Sequence, residues 1–432
     1  MALTPPPEPP TTITTLPNGL TVVVVAQPHL HTCAAQFMVR AGSRYEDLDT
    51  AGLSHFVEHM IYRGSHAYPD AFSLNRALEL RGGGLYAETG RETVSYLVEC
   101  PPESLLELLE ILADALIRPL WNDRRVEQQI VLEEILEDTG EQGQLIRADD
   151  VARRLAWPHH PFGLPITGTT ESVSSFRQSD LESHHARFYC GANAVLSVAG
   201  PVDASLVSEA AAQCFHDLPE GVRAEPETAA RFGGPRIAHV DHAESQTTLN
   251  MLIQALPDAD PLNPAQALLM RVVDDGLSTR LHRRIVDELG LAYNVSATQE
   301  VLEDAVLVDF NASCAHDSTR PLLVALLQLA AELRSAPPDE EEFQMARQHL
   351  LWDVLASYDS PRAMTEYYGN AALLRQNRAL SVRVRRILEA SRQDVHEVAC
   401  RTLLPERVAA ATVGRLTRAQ QAALAELLEG DA

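Results

Sequence analysis

The sequence predicts a protein of two related halves, each of which combines β-strands with several helices. At 432 residues the chain is long enough for two or three domains. Gly64 and Gly276 follow corresponding segments, and a strand that ends at Cys100 lines up with one that ends at Cys314. A repeat of about two hundred residues indicates a duplicated domain rather than a solenoid, whose repeats are roughly 20–50 residues long.

A change in composition marks the boundary between the halves. From residue 216 to residue 236 the sequence turns polar and rich in proline and glycine, which is typical of a connection between domains. We therefore predict an N-terminal domain at 1–218, a linker at 219–234 and a C-terminal domain at 235–432.

Strands and helices alternate through the first half. Residues 1–13 are rich in proline and threonine and are expected to be extended. Runs of apolar and β-branched residues predict strands at 20–26, 34–40, 93–99 and 194–199. Helices are predicted at 52–62, 73–80, 102–117, 123–138, 145–156 and 176–188.

The most informative segment reads His-Phe-Val-Glu-His at 55–59. His55 and His59 are four residues apart, so on a helix their imidazoles lie on one face, and Glu58 lies on the same side. Two imidazoles at this spacing can bind one Zn²⁺ at about 2.0–2.1 Å and leave positions for a third ligand and a water. A carboxylate beside them can take a proton from that water, as in the inverted zincin motif.

The alternative is a pair of surface histidines and a glutamate on an amphipathic helix. The neighbouring residues Phe56, Val57, Met60 and Ile61 are apolar and favour a helix that is mostly buried. Charged or imidazole groups in such a helix need a partner, and a metal ion is one. We therefore predict a zinc site on this helix.

A third ligand is expected to be a carboxylate on another helix, and the segment 126–138 offers several. Glu127 and Glu134 share one face of that helix. The predicted apolar face consists of Ile130, Val131, Leu132, Ile135 and Leu136. Glu133 and Glu137 are expected to be solvated, and the spacing alone leaves the choice between the other carboxylates open.

Together, the His-x-x-Glu-His motif and the two later glutamates resemble the pitrilysin or insulinase zinc metallopeptidases. The most similar branch contains the mitochondrial processing peptidase and its two-domain bacterial relatives. The resemblance implies that Glu134 joins His55 and His59 as the third zinc ligand, and that Glu127 supports a histidine ligand. Further segments at 17–25, 41–46, 160–163 and 290–293 also match landmarks of the family.

The resemblance also implies the fold. We expect an α+β protein of two homologous units, each a mostly antiparallel sheet with helices packed on one side, that together form a clamshell. Aligning Gly64 with Gly276 puts Ala267, Met270 and Arg271 where the first half has His55, Glu58 and His59. The second half is therefore expected to be non-catalytic.

Two positions depart from the family pattern. The family has an arginine seven residues before a tyrosine, and both reach the substrate; here Tyr293 is present but residue 286 is Val. Arg283 or Arg284 is an alternative source of that charge, and so is a related subunit in a homodimer or heterodimer. In the second departure, Tyr86 replaces the usual Asn on the strand to which an extended substrate is expected to add.

Charge and composition exclude several other functions. A formal charge of −25 argues against a nucleic-acid partner, which needs basic patches. No run of 18 or more apolar residues and no secretory signal are visible, so we expect no membrane association. Six scattered cysteines suit a reducing compartment, and we predict a cytoplasmic protein.

The sequence therefore predicts a zinc-dependent endopeptidase that hydrolyses extended or unfolded peptides. His55, His59 and Glu134 are the expected metal ligands, with Glu58 as the base, Glu127 as a support and Tyr293 as a substrate contact. The alternative is a catalytically silent or regulatory subunit of a heteromeric processing peptidase.

Overall fold

The computed structural model describes residues 7–229, 236–376 and 379–429, and these form two compact units. Unit 1 takes its described residues from Met1–Ile135, Leu164–Glu227 and Val354–Ser381. Unit 2 takes its own from Leu136–Gly163, Thr228–Asp353 and Val382–Ala432. The compact units thus differ from the contiguous ranges 1–218 and 235–432, because each half of the sequence contributes one segment to the other unit.

Unit 1 is built on a six-stranded sheet. Its strands are β1 (Thr11–Thr15), β2 (Thr21–Ala26), β3 (Cys33–Val39), β4 (Leu85–Thr89), β5 (Val94–Cys100) and β6 (Ala194–Gly200). The strand order is β1-β2-β6-β3-β5-β4, and every pair is antiparallel except β2 with β6. Strand β4 therefore lies at one edge of the sheet.

The helices of the first half follow in chain order. They are α1 (Leu53–Ile61), α2 (Ala71–Glu79), α3 (Leu105–Ile117), α4 (Arg124–Glu137), α5 (Ala148–Ala156), α6 (Thr170–Ser175), α7 (Gln178–Phe188) and α8 (Ala204–Cys214). Side chains of α1, α3, α7 and α8 share one buried apolar cluster with alternate residues of the sheet, such as Val22, Ala35 and Phe37. This cluster is the main core of unit 1.

Unit 2 is built on a five-stranded sheet. Its strands are β7 (Arg236–Asp241), β8 (Thr247–Ala255), β9 (Ala292–Val301), β10 (Val306–Cys314) and β11 (Val408–Gly414). The order is β7-β11-β8-β10-β9, with β7 and β11 parallel and the other pairs antiparallel. Each unit therefore has a mostly antiparallel sheet, and the predicted α+β class with two related units is confirmed.

The helices of the second half are α9 (Asn263–Val273), α10 (Arg280–His282), α11 (Thr319–Ser335), α12 (Glu340–Ser357), α13 (Pro361–Leu373), α14 (Leu380–Glu389), α15 (Arg392–Thr402) and α16 (Arg418–Glu429). A π-helical turn, Arg283–Glu288, follows α10. None of the helices in the described ranges combines the length and the apolar composition that crossing a bilayer requires.

Helix α13 comes from the second half of the sequence but packs on the sheet of unit 1. The Thr365 hydroxyl hydrogen-bonds Gln36 on β3 (3.2 Å), and Gly369 permits a close approach. A Cβ at Gly369 would lie 2.8 Å from Met38 Sδ and 3.0 Å from Ser197 Cβ. Because Gln36 and Met38 alternate with the residues of the main core, α13 covers the opposite face of the sheet.

Helix α5 comes from the first half of the sequence but packs on the sheet of unit 2. Its Ala152 and Ala156, with Trp157 and Phe162 just after it, share an apolar cluster with the unit 2 strand residues Leu252, Leu307, Ala409 and Ala411. In each unit, one further helix from the other half of the sequence packs on the sheet, in addition to the helices predicted on one side. The linker residues up to Glu227 belong to unit 1, residues 230–235 lie outside the described part of the chain, and the clamshell arrangement stays a prediction.

A buried ion pair fixes α5 on the sheet of unit 2. Arg153 Nη2 donates to Asp309 Oδ2 (2.8 Å), and Nη1 donates to Glu300 Oε2 (2.8 Å). Arg153 is 6% exposed and Asp309 is 8% exposed. Burial raises the pKa of Asp309, although the Arg153 charge acts in the opposite direction.

We expect Arg153→Met to lower the free energy of unfolding by about 3 kcal/mol, because it leaves the buried Asp309 carboxylate without its cation. Denaturant titration measures the effect. The control is Arg154→Met at the neighbouring exposed position, which should change stability by less than about 0.5 kcal/mol. Equal stabilities of the two variants would contradict the role of this ion pair.

Candidate metal centre

Helix α1 carries the two motif histidines, and a buried carboxylate holds its N-terminus. Glu46 Oε2 accepts a hydrogen bond from the Gly52 N–H (2.8 Å), and Oε1 accepts one from the Ser54 N–H (2.7 Å). The first N–H groups of a helix lack partners within it and favour negative charge. Gly52 has a φ of 87°, and a Cβ there would lie 2.5 Å from the Thr167 carbonyl oxygen, so glycine is required.

The structure brings together His55 and His59 on α1 and Glu134 on α4. The ligand atoms of the three residues lie within 4.8 Å of one another. The two imidazole Nε2 atoms are 3.2 Å apart. Glu134 Oε1 is 3.7 Å from His55 Nε2, and Glu134 Oε2 is 3.6 Å from His59 Nε2.

These separations fit a single small cation. Four atoms placed tetrahedrally at about 2.0–2.1 Å from Zn²⁺ are roughly 3.3 Å apart, close to the 3.2 Å between the two imidazole nitrogens, and each nitrogen has one Glu134 oxygen within 3.7 Å. Two nitrogens and one carboxylate oxygen are also the donor set that zinc accepts when one position stays open. His55, His59 and Glu134 are therefore able to hold a zinc ion; that they do so is still a prediction.

The two histidines have different electrostatic surroundings. Burial, followed by the nearby His59, lowers the pKa of His55 to about 3, so this imidazole is neutral, as a metal ligand must be. Burial also lowers the pKa of His59, but the hydrogen bond to Glu127 and the Glu58 and Glu134 carboxylates outweigh burial and raise it overall.

Glu127 orients His59 from α4. His59 Nδ1 donates to Glu127 Oε1 (2.8 Å), and the other carboxylate oxygen accepts a hydrogen bond from Arg63. Burial raises the pKa of Glu127, but these two hydrogen bonds outweigh it and the pKa is lowered. With the proton held on Nδ1, the lone pair of His59 Nε2 faces His55 and Glu134. Arg63 was not predicted from the sequence, although its position one turn after His59 places it on the same face.

Glu58 lies on the same helix and is linked to the edge strand of the sheet. The Thr89 hydroxyl on β4 donates to Glu58 Oε2 (2.8 Å). Glu58 is 9% exposed, and burial raises its pKa against the lowering effect of the Thr89 hydrogen bond. Thr89 was not predicted from the sequence. The alternation of β4 puts Thr89 on the same face as Ala87, but nothing in the sequence pairs that face with α1.

The face of α4 differs from the one predicted. Val131 and Ile135 are buried, but Ile130 and Leu136 are 45% and 56% exposed, so the predicted apolar face is wrong at these two residues. Glu133 and Glu137 are exposed, as expected. The buried apolar stripe of α4 is therefore narrower than predicted, with Val131 and Ile135 one turn apart. The Glu134 side chain is left 41% exposed beside the two histidines.

The remaining predicted residues lie in unit 2. Tyr293 is near the start of the edge strand β9 and is 93% exposed, and its contact with substrate stays a prediction. Arg283 pairs with Glu288, and Arg284 pairs with both Glu288 and Glu332. Both arginines proposed to supply the positive charge that residue 286 lacks are therefore in ion pairs with carboxylates.

Unit 2 has ion pairs where unit 1 has the candidate metal ligands. Arg271, aligned with His59, donates to Asp275 Oδ1 (2.5 Å) and to Asp353 on α12. His349 Nδ1 lies 2.9 Å from Asp275 Oδ2. A guanidinium group therefore joins α9 to α12 in unit 2.

Comparison with known proteins identifies the class of protein that this fold and site define. The model of the insulinase family, peptidase family M16, matches residues 21–170, and the model named peptidase M16 inactive domain matches residues 175–350. The chain belongs to the M16 (insulinase) family of peptidases, and the resemblance inferred from its motifs is confirmed.

Several relatives are named zinc proteases. An uncharacterized zinc protease of Rickettsia felis is 29% identical over 83% of this chain and 86% of its own length. One from Mycobacterium tuberculosis is 28% identical over 93% of this chain and 92% of its own length. A probable mitochondrial-processing peptidase subunit beta of Arabidopsis thaliana is 24% identical, covering 84% of this chain and 71% of the relative.

Solved structures share the fold across nearly the whole chain. A protease from Helicobacter pylori has a TM-score of 0.85 at 18% identity and covers 94% of this chain and 100% of its own. A putative M16-like peptidase from Alicyclobacillus acidocaldarius has a TM-score of 0.79 at 19% identity and covers 96% and 100%. The two-domain fold is therefore that of M16 peptidases.

Replacing Glu46 by Gln should make stability less dependent on pH. Burial raises the pKa of Glu46 to about 7, so the folded state binds a proton that the unfolded state releases near pH 4.5. In the wild-type protein this group lowers the free energy of unfolding as the pH rises from 4.5 to 7, by about 3 kcal/mol at most. Glu46→Gln lacks that contribution.

The measurement is denaturant unfolding of both proteins in EDTA at several pH values, so that metal loss does not contribute. The stability of the wild type relative to Glu46→Gln should fall across this pH range. A difference that is constant or rises with pH would contradict the assignment.

Proposed function

We propose that the protein is a zinc-dependent endopeptidase that acts on extended or unfolded peptides. The observation that carries the proposal is the convergence of two imidazole nitrogens and one carboxylate at separations of 3.2–3.7 Å. The zinc protease names of its relatives support the same chemistry.

His55, His59 and Glu134 would hold the ion, and Glu127 would keep the His59 imidazole in the tautomer that binding requires. When bound, Zn²⁺ supplies a Lewis acid for a peptide carbonyl and lowers the pKa of a water to about 7. Glu134 is exposed enough to face a substrate as well as the two histidines.

Glu58 is the proposed proton carrier. The Thr89 hydroxyl occupies Glu58 Oε2, which leaves Oε1 to accept the proton of the attacking water. Burial raises the pKa of Glu58, and a raised pKa makes the carboxylate a stronger base. The same oxygen then returns the proton to the amine released from the peptide bond.

Strand β4 is the proposed site of substrate binding. It is the edge of its sheet, so its outer backbone groups can pair with one more extended strand. Thr89 connects this strand directly to Glu58, which places an added peptide beside the proton carrier. Strand addition reads backbone rather than side chains, and it therefore suits unfolded segments.

The second candidate is a silent or regulatory subunit, since the family model that matches residues 175–350 is named an inactive domain. The first half has all four of His55, Glu58, His59 and Glu134, which favours a catalytically active protein. One relative is named a subunit of a processing peptidase, and Val stands at residue 286, so a related partner chain remains part of the proposal. Full peptidase activity of this chain at monomer mass would contradict a required partner.

We expect Glu58→Gln to retain zinc but to lose about 10²–10⁴-fold in kcat, because only the proton carrier is removed. His55→Ala should lose the metal itself. Elemental analysis measures zinc per chain, and hydrolysis of a fluorogenic peptide measures activity. A Glu58→Gln protein with wild-type turnover, or a wild-type protein that binds no zinc, would overturn the proposed mechanism.

Thr89→Val keeps the shape of the side chain but removes the hydroxyl that orients Glu58. We expect kcat to fall about tenfold, the value of one hydrogen bond to a charged group, with KM and zinc content unchanged. The matched control, Thr89→Ser, restores a hydroxyl and should retain activity. Equal rates for the two variants would show that the hydrogen bond does not position Glu58.

A further inference from the structure

Three alternate residues of β4 turn their backbone groups toward the open edge of the sheet. The Gly90 N–H donates to the Thr93 carbonyl oxygen (2.9 Å) and closes the hairpin between β4 and β5. In an antiparallel pair, hydrogen-bonded and non-hydrogen-bonded positions alternate. Counted back from Gly90 along the regular register, the N–H and C=O groups of Leu85, Ala87 and Thr89 point away from β5.

The hydroxyl of Tyr62 already uses part of this edge. Tyr62 is the residue at the C-terminal end of α1, and its hydroxyl donates to the Leu85 carbonyl oxygen (3.2 Å). Burial, followed by the Glu58 charge, raises the pKa of Tyr62, while a hydrogen bond from the Ala87 backbone N–H lowers it by less. The phenol therefore stays protonated and contacts two successive outward groups of β4.

Those two groups are free to pair with an added strand only if Tyr62 releases them. In a strand added parallel to β4, a single residue would donate its N–H to the Leu85 carbonyl and accept from the Ala87 N–H, whereas in an antiparallel strand two residues would share these bonds. A phenol hydroxyl is able to do the same, because it both donates and accepts. In either orientation, Tyr62 thus makes two of the hydrogen bonds that the backbone of a bound peptide would make.

We propose that the Tyr62 hydroxyl acts as an internal competitor for backbone binding on β4. This inference rests on the strand addition proposed above. The Ala87 carbonyl and the Thr89 N–H also face the open edge, and an extended peptide can bond to them without contacting Tyr62. To pair along the whole edge, it must first displace the phenol.

The competitor makes the edge selective. A peptide held only at the position between Ala87 and Thr89 lies beside Glu58 without disturbing Tyr62. A peptide that continues past Ala87 loses affinity equal to the hydrogen bond that it breaks. The structure therefore assigns Tyr62 a role in setting how tightly long extended peptides bind, separate from the proton transfer by Glu58.

The test compares wild type with Tyr62→Phe, which keeps the ring and removes the hydroxyl. Both proteins are prepared metal-free in EDTA, and binding of a fluorescein-labelled, uncleaved Thr/Val-rich peptide of about ten residues is measured by anisotropy. We expect Tyr62→Phe to lower Kd by about two- to tenfold, the effect of one hydrogen bond. The control Tyr68→Phe, in the loop after α1, should bind like the wild type.

A second measurement uses the same peptide with one backbone amide N-methylated at a time. The Tyr62→Phe protein should show one more sensitive amide than the wild type, since one further N–H is then bonded by the strand edge. Unchanged or weaker peptide binding by Tyr62→Phe, or the same number of sensitive amides, would overturn the proposal. So would the absence of peptide binding by either protein.

These readouts separate the two proposals. Binding is measured without zinc and does not depend on cleavage. A zinc-loaded wild-type protein that fails to cleave peptides would therefore contradict the endopeptidase assignment and leave the binding result unaffected. Conversely, normal cleavage with no effect of Tyr62→Phe on binding would remove the competitor and retain the enzyme. Thermal melting of both variants checks that the fold is kept.

Discussion

The hydrogen bond from His59 to Glu127 is the contact on which the geometry of the candidate site depends. It joins α1, which carries His55, to α4, which carries Glu134. It also fixes which nitrogen of His59 carries the proton. Arg63 balances the charge of Glu127 and allows this carboxylate to be buried. Around this bond, Glu46 holds the N-terminal end of α1 and Thr89 holds one oxygen of Glu58.

Much of the site could be predicted from the sequence, because its spacing is local. The positions of His55, Glu58 and His59 follow from helix geometry alone, and the resemblance supplied Glu127 and Glu134. Thr89 and Tyr62 could not be found in this way. Both act across the boundary between a helix and a strand, and the register that brings β4 against α1 is a property of the packed sheet rather than of either segment.

The fold was predictable to a similar degree. The duplication and the strands of each half are visible in the sequence, and the resemblance to the family supplied the class of fold. The exchange of α5 and α13 between the units is not, because it depends on contacts between residues far apart in the sequence, such as Arg153 with Asp309 and Thr365 with Gln36. The two units also differ in charge at this place. In unit 2 Arg271 pairs with the carboxylates of Asp275 and Asp353, whereas in unit 1 the aligned residue, His59, lies beside Glu134.

The exchange of helices has a consequence for the order of events during synthesis. Helix α13, Pro361–Leu373, supplies one face of the sheet in unit 1, although every strand of that sheet is complete by residue 200. While the ribosome is still producing the residues in between, one side of this sheet is uncovered. The nascent chain must therefore wait for most of its length before the scaffold of the His55 site is fully enclosed, and a chain released early would expose that side to solvent and to chaperones.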